Sequence, residues 1–316
     1  MRPTCASHRR VRRYYCPVLH ISQKIIVCSR LDNELLYRHT NLTKPRSQHA
    51  ASVVSTISTP SMAYPTPLCA VSRQLSPTVS ILSTPFTRVG LFQMGARSTF
   101  ISLPASNSVI VIAPVPYGED SAAIVGTRDV RFLIAPDFEH HMALKSWKDK
   151  YPSAKIIGVQ GLRNHKAPAG VHVDYEISLA NKVISPSEAG IEDPELNEVF
   201  KFVYFPSHQN KELIMYYIPT KTLIEADLLL NLPALEQYSK SPTNPRSGFT
   251  RLFNVFNPDS PWHRRLLGSV LKDKAAAKIG LNAIQSLDYE TIIPCHGDVI
   301  TTDAKGKFNA VFSGFM

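Results

Sequence analysis

Three stretches of the sequence share one pattern: a short apolar run ends, and a side chain able to ligate a metal follows. They are Phe205-Pro-Ser-His208, Leu223-Ile-Glu-Ala-Asp227 and Ile292-Ile-Pro-Cys-His296-Gly-Asp298. Such runs have the length of strands, and loops at strand ends can converge at one edge of a rigid sheet. Imidazole and carboxylate together suit Zn²⁺ or iron. A fourth stretch, Ala135-Pro-Asp-Phe-Glu-His140-His141, follows the apolar run Arg131-Phe-Leu-Ile-Ala135 and adds two adjacent imidazoles. Each feature also has an ordinary reading. Asp137 is a natural cap for a helix starting at His140, because helix N-termini leave N–H groups unpaired. Asp227 can be a plain strand-end carboxylate, and His208 and His296 can be core histidines satisfied by hydrogen bonds.

The order Pro206-Ser-His208, a hairpin, Leu223-Ile-Glu-Ala-Asp227-Leu-Leu and Ile292-Ile-Pro-Cys-His296-Gly resembles the second half of the metallo-β-lactamase-fold superfamily. In finer detail Asn210-Lys-Glu, Ile224-Glu-Ala-Asp-Leu-Leu-Leu-Asn-Leu-Pro and Ile293-Pro-Cys-His-Gly-Asp-Val-Ile look like a degenerate, fungal-type subgroup of it. The resemblance covers Ile81 to Met316. It implies an α/β protein, a four-layer αββα sandwich with the site at one edge of two facing sheets. Active members carry a His-x-His-x-Asp-His run where this chain has Ala135-Pro-Asp-Phe-Glu-His-His141. Either Glu139-His140 or His140-His141 takes the place of Asp-His, and neither register restores His-x-His. The implied metal ligands are His140, His141, His208, Asp227 and His296, with Asp227 and Glu139 as the catalytic carboxylates. The depleted set points to one Zn or Fe ion at most, and a protein with no metal is an equal outcome. A single Zn²⁺ with an open position brings a water's pKa to roughly 7, which suits hydrolysis of a small ester, thioester or lactone, with Asp227 or Glu139 as ligand or general base. The alternatives are a non-catalytic binding or structural protein and a non-haem iron redox variant.

These groups need elements to place them. Phe86-Thr-Arg-Val-Gly-Leu-Phe and Ser98-Thr-Phe-Ile-Ser-Leu alternate as half-buried strands do, and Ser108-Val-Ile-Val-Ile-Ala113 reads as a buried strand. Arg131–Ala135, a helix over His140–Lys150 closed by Pro152, and the strand Ala154–Val159 make a βαβ-like unit. Leu213–Ile218 and Thr222–Ala226 flank a short hairpin connection. Residues 237–261, rich in proline and polar groups, read as a long surface loop, Trp262–Leu287 as one helical stretch, and Thr291–Cys295 as the last strand.

The net charge of +10 is unevenly spread: residues 1–80 carry +9 and the remainder +1. The domain assigned to residues 81–316 is thus near neutral, and no nucleic-acid partner is expected. A membrane partner is not expected either, for want of a spanning apolar run, and a small-molecule substrate is expected if the protein is an enzyme. Residues 1–80 are expected to be a basic disordered tail. Their Arg- and Ser-rich, acid-poor composition also fits a mitochondrial targeting segment, although Pro17 breaks its one helical stretch, and Met62 is a candidate start. A cytoplasmic protein is the first expectation. Four of the five cysteines lie in that segment, leaving Cys295 with no partner for an internal disulfide. No run approaches the roughly 20 apolar residues of a membrane span. P-loop, Gly-x-Gly-x-x-Gly and Gly-x-Ser-x-Gly patterns are absent. Cys295 is expected to be a buried thiol, since direct adjacency to His296 does not oppose the two groups in space. The oligomeric state has no signature in the sequence.

Overall fold

The computed structural model describes residues 64–316. The expectations for a disordered tail, a targeting segment or a start at Met62 fall almost wholly on residues 1–63, outside the described residues. The fold begins ahead of Ile81: β1 (Val71–Gln74) and β2 (Val79–Thr84) are already strands of a sheet. Beyond them that sheet runs through β5 (Ala96–Leu103), β6 (Ser108–Ile112), β7 (Asp129–Ile134), β8 (Lys155–Val159) and β9 (Tyr175–Ile177). It is antiparallel from β1 to β6 and parallel from β6 to β9. The parallel part needs crossovers, and α1 (Glu119–Val125), α2 (Leu144–Lys150) and α3 (Leu162–Lys166) lie between its successive strands. The small hairpin β3 (Thr87–Arg88) and β4 (Phe92–Gln93) stands apart.

The second sheet has the order β10 (Val183–Ile184), β11 (Phe200–Phe205), β12 (Glu212–Tyr217), β13 (Thr222–Ile224), β14 (Thr291–Ile293). Its strands show why two faces must be covered. Phe202, Tyr204, Leu213, Met215, Tyr217, Ile224 and Ile293 join the apolar core of the first sheet. The alternating residues Val203, Phe205, Ile214, Tyr216, Leu223 and Ile292 pack instead with α6 (Lys274–Gln285) and α7 (Ala304–Phe312). That period of two is the strand pleat. On the far side of the first sheet, Trp147 of α2 is fully buried against Phe100, ring centroids 5.9 Å apart, and donates its indole N–H to Val115 O at 2.7 Å. The layers are therefore helix, sheet, sheet, helix, as expected. Two further short helices, α4 (Pro194–Val199) and α5 (Pro261–Leu267), complete the α-helices of the described residues. No helix among the described residues is long and apolar enough to cross a membrane.

Four expectations need correction. The run Phe86–Phe92 is the β3–β4 hairpin, not one strand, because Val89 and Gly90 both take positive φ (48° and 68°) at its turn. The helix expected from His140 starts at Leu144. The stretch Trp262–Leu287 breaks into α5 and α6. The intervening backbone is drawn into bonds with the turn after β11: Gln209 N–H to Val270 O (3.1 Å) and Lys272 N–H to Ser207 O (2.9 Å). Asp273 then caps α6 by accepting from Ala275 and Ala276 N–H, both at 3.0 Å. The segment 237–261 is not wholly a surface loop, since Gln237, Tyr238 and Thr250 are buried.

Candidate metal centre

Register places the ligand candidates. β13 and β14 run parallel with Ile224 opposite Ile293, so Asp227 and His296, each three residues further on, leave the same edge side by side. β11 ends opposite the start of β12, and β12 is antiparallel to β13, so the turn carrying His208 and Asn210 is at that edge too. The facing sheet contributes the loop after β7, tied across by Leu213 N–H to Pro136 O (2.7 Å) and Phe138 N–H to Asn210 O (3.1 Å).

His140, Asp227 and His296 meet there, one ligand atom from each lying within 4.8 Å of the others. His296 Nε2 is 3.2 Å from Asp227 Oδ1 and 3.2 Å from His140 Nε2. The tautomers follow from the outer contacts. His296 Nδ1 lies 2.6 Å from the carbonyl of Gly95, which only accepts, so Nδ1 holds the hydrogen. His140 Nδ1 lies 3.0 Å from both oxygens of buried Asp137, whose Oδ1 also accepts the N–H groups of Glu139 (2.8 Å) and His140 (2.7 Å). Asp137 therefore both caps the turn and orients the ring. In their neutral forms the two imidazoles turn bare Nε2 lone pairs toward each other and toward Asp227. The three converging acceptors are relieved either by a proton on His140 Nε2 or by a metal cation in its place. Donors about 2.0–2.1 Å from a tetrahedral ion stand about 3.3 Å apart, close to the two 3.2 Å separations. The donor set and its second contacts fit a metal ion.

A buried frame holds this arrangement. Asn210 Nδ2 donates to Asp227 Oδ2 at 2.6 Å, and Glu212 accepts from the N–H groups of Ala226 (2.6 Å) and Asp227 (3.1 Å). Around His296, Arg97 donates to Pro294 O (2.6 Å) and Gly297 O (2.7 Å). Gln237 donates to Cys295 O (2.7 Å) and accepts from Gly297 N–H (2.9 Å). Arg97 and Gln237 are essentially inaccessible. A side chain at Gly95 would sit 2.1 Å from Gln237 Oε1, and one at Gly297 (φ +93°) 2.0 Å from Asn231 O, so both positions require glycine.

The charges follow from burial and neighbours. Burial opposes protonation of His140, yet Asp137 and Asp227 outweigh it and push its pKa up to about 9. Burial alone would raise Asp227, but His140, the contact from His296 and His208 hold it well below the usual carboxylate range. Glu212 is driven well above that range by burial and by Glu225, which burial itself pushes up to about 8. Burial also raises Glu139, against the pull of Arg88 3.9 Å away. Cys295 is a buried thiol pushed up by desolvation, with Arg97 O as its acceptor at 3.6 Å.

The other expected ligands stand elsewhere. His208 is buried behind Asp227, its Nδ1 3.7 Å from Glu212 and 3.4 Å from Asn210 N, and burial keeps it neutral. His141 turns away and packs on His165, ring centroids 4.9 Å apart; burial and then Lys166 lower its pKa to about 4. Of the two registers at residues 139–141, the geometry brings His140 to the group. Glu139 lines the small cleft above it, with Tyr64, Phe86, Arg88 and Met142 on the walls; the cavity is about 20 Å³, room for one or two water-sized groups. Sequence reasoning missed Gly95, Arg97 and Gln237. Arg97 carries a faint signal, a charge inside an apolar strand; the other two carry none.

No family model matches this chain, and no curated protein sequence does. Solved structures do. A metallo-β-lactamase from Pontibacter korlensis superposes with a TM-score of 0.50 at 11% identity, over 78% of this chain and 98% of that one. A flavodiiron core from Synechocystis sp. gives 0.53 at 15% identity, over 81% of this chain and 61% of that one. A flavoprotein from Thermotoga maritima gives 0.53 at 12%, over 78% and 61%. This chain thus spans about three fifths of the two flavoprotein chains. Likeness at these identities concerns architecture alone, and the architecture, two facing sheets flanked by helices, is the metallo-β-lactamase fold.

Proposed function

We propose that the protein is a mononuclear metal-dependent hydrolase of small esters, thioesters or lactones, in the degenerate branch of the fold that its sequence resembles. The observation that supports this reading is the convergence of His140 Nε2, His296 Nε2 and Asp227 Oδ1 as three acceptors at one sheet edge. His140, His296 and Asp227 would hold an ion that, when bound, would supply Lewis acidity toward a substrate carbonyl. The chain's own residues do the rest. Asp137 and Gly95 fix the two imidazole tautomers, and Asn210 holds the far oxygen of Asp227. Glu139, raised by burial and facing the cleft, takes a proton from the attacking water and returns it to the leaving group. Tyr64, Phe86 and Met142 give the cleft an apolar wall.

Elemental analysis of the purified protein, beside turnover of an ester, thioester and lactone panel, tests this. One zinc per chain with turnover, both lost in Asp227→Ala and His296→Ala, is the expected result. Iron with oxygen or thiol redox activity would replace the hydrolase with the redox reading. A metal-free, inactive protein would leave a binding or structural role.

A further inference from the structure

We infer that the protein docks on an anionic lipid surface through an apolar knob beside the cleft, formed by Leu91, Phe249 and Leu252. These are among the most exposed large apolar side chains of the described residues, at 51%, 66% and 58%. They come from two segments that the fold joins. Leu91 is the tip of the β3–β4 hairpin, and Phe249 and Leu252 lie on the short 3₁₀ turn Gly248–Leu252. Buried Thr250 ties the two together, accepting from Gln93 N–H (3.1 Å) and donating to Leu91 O (3.3 Å). Beneath them the rings of Phe92 and Phe253 pack with centroids 3.9 Å apart, tilted by 44°. The knob thus stands on a built base, and exposing three large apolar groups on it costs free energy unless something covers them.

Charge identifies the cover. Between residues 237 and 258 there is no Asp or Glu, while Lys240, Arg246 and Arg251 are exposed. From Phe86 to Gly95 the one charged residue is Arg88. Apolar tips interleaved with cations, on two segments that carry no acid of their own, match the way an interfacial anchor inserts below phospholipid headgroups. Arg88 is already paired with Glu139 at 3.9 Å, and Lys240, Arg246 and Arg251 are the free charges of these segments among the described residues. The expectation of no membrane partner rested on the lack of a spanning apolar run, which a surface anchor does not need, and the near-neutral charge of the whole domain conceals this local asymmetry. The hairpin also supplies Phe86 and Arg88 to the cleft wall, so a surface that takes Leu91 lies beside the cleft mouth.

Co-sedimentation of the full chain with phosphatidylcholine vesicles, with and without phosphatidylserine, tests the inference. The basic first eighty residues are common to every variant, so comparison between variants isolates the knob. The triple variant Leu91→Ser, Phe249→Ser, Leu252→Ser should lose more than tenfold in binding to both vesicles. Arg246→Gln with Arg251→Gln should lose roughly fivefold per charge, on the phosphatidylserine vesicles alone. Phe249→Trp, which keeps an apolar tip, should bind and shift its emission to the blue on vesicles. Unchanged binding by the triple variant, or a tryptophan at 249 blind to vesicles, overturns the inference. So does a dimer of the wild type that the triple variant abolishes, which would assign the knob to a second copy of the chain.

Discussion

Replacing Gln237 by Met isolates the clamp on the His296 turn. The side chain is fully buried and makes two bonds to one short loop, to Cys295 O at 2.7 Å and from Gly297 N–H at 2.9 Å. Methionine keeps most of the shape and removes both. A buried backbone group left without a partner costs about 1–3 kcal/mol, and two such groups are created. Part of the loss is recovered by relaxation, which leaves about 3 kcal/mol and a fall in Tm of roughly 10 °C for a domain of this size. The turn carries His296, whose Nε2 must stay 3.2 Å from Asp227, so loosening it should also weaken metal binding by roughly 10–100-fold. Urea denaturation gives the first quantity and competitive zinc titration the second. A variant that loses less than about 0.5 kcal/mol and binds zinc as the wild type does would show that Arg97 and Gly95 suffice, and the clamp argument would be wrong.

Three further outcomes follow from the same structure. His140→Ala should abolish zinc binding while His141→Ala leaves it intact, since only the first ring faces Asp227 and His296; equal losses measured by titration would reverse the assignment. Gly297→Ala should cost roughly 3 kcal/mol or more and sharply lower the soluble yield, because the new Cβ meets Asn231 O at 2.0 Å in a left-handed backbone; a soluble variant with unchanged Tm would contradict this. His263 lies buried on α5 with its Nδ1 unpartnered among the described residues, and burial lowers its pKa from 6.5 to about 4. The unfolded chain therefore takes up this proton first. Stability should fall as pH drops from 6.5 toward 4, by about 3 kcal/mol from this group, and His263→Phe should flatten denaturation curves measured across that window.

Much of the fold was legible because strand and helix signals are local. The continuous apolar runs Val203–Phe205 and Leu213–Tyr217 mark strands covered on both faces, and the structure fills those faces with the facing sheet on one side and α6 and α7 on the other. Asp227 and His296 were legible as strand-end groups for the same reason. Their pairing needs only parallel neighbours in register, which short strands of equal length supply. Where local signals failed, a distant partner had intervened. The helical composition of Trp262–Leu287 is real, yet the backbone at Val270–Lys272 pairs with the turn at Ser207–Gln209 instead of continuing the helix. A pair of adjacent histidines gives no hint of which ring turns inward; Asp137, gripping His140 Nδ1, makes that choice.

The amino-acid sequence by itself determined the strands and helices and the chemical types at their ends, because pleat periodicity and side-chain chemistry are properties of short stretches; the four-layer arrangement came from the family resemblance. Tertiary structure alone decided which of those groups meet and how they are held. Gly95 O reaches His296 across 201 positions of sequence and Arg97 reaches Gly297 O across 200. Hydrogen bonds act over about 3 Å of space, and chain separation leaves no trace of them until the sheets have packed.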